Sequence, residues 1–283
     1  MYKIIDGKSI SNVILDDLRN KINDLKIAGK QVILADVFVG DNPASIVYVN
    51  SKIKKFDEVG IKLNLIRFKN NITEDELISR INDLNNDKKI NGIFIEMPLP
   101  PHIDSNNVID KISYKKDVDG FGTISLGALF SDKKGFYPCT AEGIVELLKK
   151  SNIRIAGKHC VVLGRSNIVG KPVAMLLLKE NATVTICHSK TNNLEEICRT
   201  ADILIAAVGK AKFIDEKYVK DGAVVIDAGI NKIFENGKSI VCGDVDFEKV
   251  ANYTSYITPV PGGVGPMTTT ILIKHCVETL DYE

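Results

Sequence analysis

At 283 residues, with 45% hydrophobic and 26% charged side chains, the chain is long enough for two domains or one large α/β domain. A formal net charge of +1 argues against nucleic acid as a main partner, and no apolar run approaches the roughly 18–20 residues that span a bilayer. The segment Met1–Gly7 lacks the basic-then-apolar pattern of a signal peptide, so a cytoplasmic location and no membrane partner are expected. The six cysteines form no Cys-x-x-Cys pair and sit among apolar neighbours, which predicts reduced, buried thiols. His102, His159, His188 and His275 have no metal-ligand spacing, so no metal is expected.

In chain order, Gln31–Val39 reads as a β-branched strand, ended by Gly40-Asp41-Asn42-Pro43. Ser45–Glu58 reads as a helix, with Ile46, Val49, Ile53 and Phe56 at helical spacing. Lys62–Phe68 is a second strand, and Asn71–Leu84 a helix opened by a Thr73/Glu76 capping box. Gly92–Glu96 is a third strand, closed by Met97-Pro98-Leu99-Pro100-Pro101. This βαβαβ order implies parallel strands joined by right-handed crossovers. The turn at Asp117-Val118-Asp119-Gly120 and the glycines up to Gly135 suggest a boundary.

A helix at Thr140–Lys150 follows, and the pattern restarts. Strands are expected at His159–Leu163, Thr183–Cys187, Ile203–Val208 and Ala223–Asp227, with helices at Val169–Lys179 and Leu194–Arg199. The fold class is therefore α/β, in two layered domains with a cleft between them. One domain is residues 1–138 plus 267–283 and the other, of Rossmann type, is 139–266, with the helix after Pro266 returning to the first.

The strand ending at Leu163 runs into Gly164-Arg165-Ser166-Asn167-Ile168-Val169-Gly170. Glycine at a strand end and again at a helix start suits a phosphate, which backbone N–H groups and the helix N-terminus would face. A tight βα turn without a ligand reads the same way, because the Gly-x-Gly-x-x-Gly spacing is not met. The next strand ends in Cys187-His188-Ser189-Lys190-Thr191, without the carboxylate that usually bonds the ribose of NAD. Hydroxyls with Arg165 and Lys190 suit a 2′-phosphate, which favours NADP; Lys190 as a solvated charge and His188 as a packed strand end are the plain alternatives. Gly209 and Gly229-Ile230 close two further strands, where cofactor approaches main chain on open parallel sheets. Asp227 either joins that site or ties down a loop.

Pro259-Val260-Pro261-Gly262-Gly263-Val264-Gly265-Pro266-Met267-Thr268 precedes an apolar helical run, Ile271–Leu280. Proline and glycine together hold one backbone shape with few side chains in the way. That suits either a flat ligand lying against main chain or a rigid connector. Tyr48 and Lys52, at i and i+4, share one helix face, as an exposed pair or as a stacking ring beside a cation or base.

Taken together and in order, Tyr48-x-x-x-Lys52, Pro98-Leu99-Pro100, Asp117–Gly120, Gly164-Arg165-Ser166, His188–Thr191 and the Pro259–Thr268 loop closely resemble the methylenetetrahydrofolate dehydrogenase/methenyltetrahydrofolate cyclohydrolase family over essentially the whole chain. The resemblance implies NADP-dependent oxidation of 5,10-methylenetetrahydrofolate and hydrolysis of the methenyl product to 10-formyltetrahydrofolate, in one-carbon metabolism and purine biosynthesis. It also implies a homodimer with tetrahydrofolate derivatives as substrates. By position it makes Lys52 the catalytic lysine, lays Tyr48 along the folate rings and has Asp119 bond the pterin. It frames the pterin and nicotinamide with Pro259, Gly262, Gly263 and Thr268, and sets Arg165, Ser166 and Ser189 at the 2′-phosphate region.

One residue departs from the family pattern: Glu96 stands where glutamine is usual. An ionised Glu96 beside Lys52 favours the ammonium and weakens the amine as a base. A protonated Glu96 in a dry pocket mimics the amide, and the two groups titrate as a coupled pair. If Glu96 hampers Lys52, hydrolysis is weak or shifted in pH, a monofunctional dehydrogenase is the alternative reading, and Glu96→Gln raises hydrolysis. If Glu96 turns away, it matters little.

Overall fold

The computed structural model describes residues 2–41, 43–235 and 238–282, with side chains described except at positions 43–45, 47, 48, 50, 51, 235, 238 and 282. The elements in chain order are β1 (Lys3–Ile4), α1 (Gly7–Ile27), β2 (Ile33–Val39), α2 (Pro43–Val59), β3 (Lys62–Phe68), α3 (Glu74–Asn86) and β4 (Gly92–Ile95). Next come α4 (Ser105–Ile109), α5 (Thr123–Phe130), α6 (Cys139–Lys150), β5 (His159–Leu163), α7 (Gly170–Lys179), β6 (Thr183–Cys187) and α8 (Leu194–Cys198). The chain continues with β7 (Ile203–Ala206), β8 (Ala223–Asp227), β9 (Asn231–Glu235), β10 (Lys238–Cys242), α9 (Phe247–Val250), β11 (Thr254–Ile257) and α10 (Val264–Glu278).

Two compact units result, one of residues 13–137 with 269–283 and the other of 1–12 with 138–268. In the first, β2 runs between β3 and β4 in a parallel sheet. Its row of buried residues is nearly continuous, as a strand covered on both faces requires. Ala35, Val37, Ile93 and Ile95 pack with Leu77 and Ile81 of α3 in one core cluster. The capping box that opens α3 is formed: the Thr73 hydroxyl accepts from the Glu76 N–H, and the Glu76 carboxylate accepts from the Thr73 N–H at 2.9 Å.

The second unit holds a six-stranded sheet in the order β1-β11-β8-β7-β5-β6, parallel throughout. Its core includes Val161, Leu204, Val225 and Ile257. Residues 1–12 were expected with the first unit, but β1 pairs with β11 at the sheet edge, Ile4 opposite Ile257. A strand of two residues gives no periodicity to read, so its address is set by the partner's free edge. α1 is absent from the expected elements although Leu15, Leu18 and Ile22, all buried, carry a helical spacing. α10 opens at Val264 rather than Ile271, because Gly265 and Pro266 fall in its first turn, where proline costs no hydrogen bond.

Candidate active site

The Lys52 site follows from register. Asp36 stands opposite Phe94 in the β2–β4 ladder, and Glu96 lies two residues beyond Phe94. The Glu96 N–H donates to the Val37 carbonyl at 2.9 Å, so the ladder continues one bond past the strand end. Asp36, Phe94 and Glu96 therefore share one face of the sheet. Lys52, from α2, is 4% exposed. Its Nζ donates to Glu96 Oε1, lies 3.7 Å from Asp36 Oδ2 and sits 3.7 Å from the Phe94 ring centroid. Glu96 thus faces Lys52 directly. Tyr48 belongs to the same helix, but its side chain is outside the described residues.

Asp36 is missing from the sequence-derived candidates. It is wholly buried, and burial pushes its carboxyl up to about 7; the Lys52 charge opposes this and the Glu96 carboxylate adds to it. Asp119 occupies a turn organised by its neighbour Asp117. The Asp117 carboxylate accepts from the N–H groups of Gly120 (3.1 Å) and Gly122 (2.9 Å) and from the Ser125 hydroxyl (2.6 Å). Burial raises the Asp117 carboxyl against those bonds. The buried His275 ring of α10 bonds the Val118 carbonyl through Nδ1 at 2.8 Å, tying the returning helix to this turn.

In the second unit the proline–glycine loop is a main-chain structure. Gly262 takes φ +108°, and its carbonyl accepts from the Lys8 N–H at 3.1 Å. Gly7 lies so close beneath that a Cβ there would come 1.8 Å from the Gly263 carbonyl oxygen. Pro259 contributes its own carbonyl, which a Cβ on Gly263 would meet at 2.6 Å. The Thr268 hydroxyl pairs with that of Thr140 at 3.1 Å.

The turn after β5 borders a cavity of about 260 Å³, lined by Gly164, Arg165, Ser166, His188 and Ser189 together with Leu194, Val208, Lys210 and Phe213. Gly164 takes φ +132°, and a Cβ there would fall 2.1 Å from the Ala207 carbonyl. The Ser166 hydroxyl accepts from the N–H groups of Val169 and Gly170 at 3.2 and 3.3 Å, shaping the start of α7. His188 Nδ1 accepts from the Lys190 N–H at 3.1 Å. Lys190 is exposed and borders the cavity no more than Val169, Gly170, Gly209, Gly229, Ile230 or Thr268 do. Lys210 is a cation that the sequence reading does not include.

Two buried carboxylates hold the neighbouring loops. Asp244 accepts from the N–H groups of Val208, Gly209 and Lys210 and from the Asn231 amide, at 2.6 to 2.9 Å. Asp227 accepts from the N–H groups of Gly229, Asp244 and Val245 at 2.9 to 3.0 Å. Asp227 therefore ties down a loop. Gly229 is buried and packs so closely on Asp244 that a Cβ there would meet it at 2.4 Å.

The tetrahydrofolate dehydrogenase/cyclohydrolase catalytic-domain model matches residues 5–119, and the NAD(P)-binding-domain model of the same family matches residues 138–283. The chain belongs to the tetrahydrofolate dehydrogenase/cyclohydrolase family. It is 54% identical over 280 residues to a bifunctional protein FolD of Agathobacter rectalis, covering 99% of both chains. The structure of a bifunctional FolD, methylenetetrahydrofolate dehydrogenase/cyclohydrolase, from Campylobacter jejuni matches with a TM-score of 0.96 at 44% identity, over 100% of this chain and 99% of that one. The FolD of Trypanosoma brucei, complexed with NADP cofactor and inhibitor, matches with a TM-score of 0.93 at 34% identity, over 99% and 98%. The Lys52 cluster lies in this family's catalytic domain and the glycine turn after β5 in its NAD(P)-binding domain. All six cysteines are buried and none is in a disulfide, as their apolar sequence context implies.

Proposed function

We propose that the chain oxidises 5,10-methylenetetrahydrofolate with NADP and hydrolyses the methenyl product to 10-formyltetrahydrofolate. The observation that carries this reading is the buried lysine of the catalytic domain, held between a carboxylate and an aromatic ring at the sheet edge. The named relatives are bifunctional, so both activities are retained in the reading.

NADP, when bound, supplies the hydride acceptor. The cavity beside Gly164 suits its phosphates: the backbone approaches closely there, and Arg165 and Lys210 bring two cations. Arg165, Ser166 and Ser189 would hold the 2′-phosphate region, with Gly170 at the helix start. Tyr48 would stack along the folate, Asp119 would bond the pterin, and Pro259, Gly262 and Gly263 would present main chain to a flat ring. Oxidation removes hydride from a carbon flanked by two nitrogens, which share the positive charge left behind. The protein's task in that step is alignment. Hydrolysis needs a proton acceptor for water, and the Lys52–Glu96 pair is placed to handle that proton. A homodimer acting in the cytoplasm completes the proposal.

The test is one reaction read in two channels: 5,10-methylenetetrahydrofolate with NADP+, following NADPH and the methenyl product against uncatalysed hydrolysis. NADPH rising while methenyl product stays well below it is the expected result. Equal rise of both refutes the hydrolase, and absence of NADPH refutes the whole reading.

A further inference from the structure

Asp36 is an anomaly in its own strand. Its neighbours Leu34, Ala35, Val37, Phe38 and Val39 are apolar and buried, and β2 is the central strand. An ionised carboxylate in that row costs several kcal/mol unless it is paired or protonated. Neither Asp36 oxygen has a hydrogen-bond partner among the described residues, and Lys52 Nζ stands 3.7 Å away. Side-chain exposure grades outward, 0% for Asp36, 3% for Lys52 and 10% for Glu96. Two carboxyls thus flank one buried ammonium, with Glu96 outermost.

We propose that Asp36 is a positioning residue for the hydrolytic step, holding a proton behind Lys52 so that the outer carboxylate, Glu96, accepts the proton of the attacking water. This rests on the hydrolase reading above. The charge count supports it. With Lys52 charged, Glu96 ionised and Asp36 protonated, the set is neutral; with both carboxyls ionised it carries a net negative charge in a dry site. Lys52, flanked by two acids, serves to stabilise charge rather than as the proton acceptor.

The step balances on these groups. The water oxygen bonds the methenyl carbon, and one water proton passes to Glu96. One C–N bond then breaks, its electron pair staying on nitrogen, which takes the remaining hydroxyl proton as the formyl C=O forms. Glu96 returns its proton to solvent, so cation plus water gives neutral product plus one proton. The charged groups that act on Asp36 are Lys52 from α2 and Glu96 at the end of β4. Its ladder partners on β3 and β4 are the apolar Leu65 and Phe94. Asp119 and Lys52 in turn act on the buried Cys276 of α10.

The test is the hydrolysis rate from about pH 5.5 to 9 in wild type, Asp36→Asn and Glu96→Gln, with infrared spectra of the same proteins. An inflection near neutral pH is expected in wild type. It is absent from Asp36→Asn, because the carboxyl that titrates there is gone. A protonated-carboxyl stretch should fade through neutral pH in wild type and be missing from Asp36→Asn. Asp36→Val, apolar like the rest of the strand, gives the same readout if the amide variant does not fold. Glu96→Gln should slow hydrolysis. Faster hydrolysis in Glu96→Gln restores Lys52 as the base and overturns the proposal; so does an unmoved inflection together with an unchanged carboxyl band. If wild type makes NADPH without hydrolysis, or makes none, the underlying reading fails, and the infrared band still decides whether Asp36 carries the proton.

Discussion

Replacing Gly7 with alanine tests whether the start of α1 sets the shape of the proline–glycine loop. The added methyl carbon would lie 1.8 Å from the Gly263 carbonyl oxygen, 2.7 Å from its carbon and 3.0 Å from the Gly262 oxygen. Ordinary contact begins near 3.4 Å, so one main-chain segment must retreat by about 1.6 Å. Overpacking of this kind costs about 1–3 kcal/mol, and loss of the Lys8 N–H bond to Gly262 adds about 1 kcal/mol. The melting temperature should fall by roughly 5–10 °C. Displacing by an ångström a loop proposed to frame the substrate should also lower both activities by about a hundredfold. Gly127→Ala is the control: it lies exposed in α5 with nothing within 4 Å, and should stabilise by about 0.5–1 kcal/mol. The assays are thermal melts and the two-channel kinetic measurement. A Gly7→Ala protein with wild-type melting temperature and wild-type rates would refute the steric argument.

Three further outcomes are expected. Asp244→Asn sets an amide N–H against backbone N–H groups it can no longer accept, costing about 1–3 kcal/mol. The Val208–Lys210 turn should loosen and KM for NADP rise several-fold with kcat little changed; an unaltered KM counts against that role. Asp227 carries a carboxyl pushed by burial from 3.8 to about 6, so the folded state binds the proton more tightly than the unfolded chain. Its stabilising contribution is full below about pH 4 and is lost as pH rises through about 6, worth up to about 3 kcal/mol. Urea titrations of wild type and Asp227→Asn across that window should show the slope only in wild type; parallel curves refute it. Finally, burial pushes the Cys160 and Cys198 thiols up to about 12, so a thiol reagent at mild alkaline pH should label none of the six cysteines until urea unfolds the chain.

Much of the site was readable because its motifs are local. Arg165, Ser166, His188 and Ser189 each follow a strand with an apolar run, and the structure sets them around one cavity. Lys210 and Phe213 complete that cavity from after β7, where the sequence offered only Val208-Gly209 as a strand end. Glu96 could be singled out only through the family resemblance, which has glutamine before the proline turn, and the structure puts it on Lys52. Asp36 also stands out in hindsight, as one charge inside an apolar strand. Its meaning depends on Lys52, sixteen positions on, and Glu96, sixty positions on.

The sequence alone determined what depends on short-range physics. The apolar runs became parallel strands, the inner ones β2, β7 and β8 buried on both faces, Thr73 and Glu76 closed a capping box, and glycine at the end of β5 allowed a turn no Cβ could enter. It also carried the family, since the ordered motifs cover nearly the full chain. Only the tertiary structure decided which strand edge took Lys3–Ile4, which carboxylates hold loops and which flanks the lysine. Those outcomes are settled by register, by unpaired backbone N–H groups seeking acceptors, and by the cost of burying charge. Each of these depends on residues far apart in sequence meeting at one place, which no local pattern encodes.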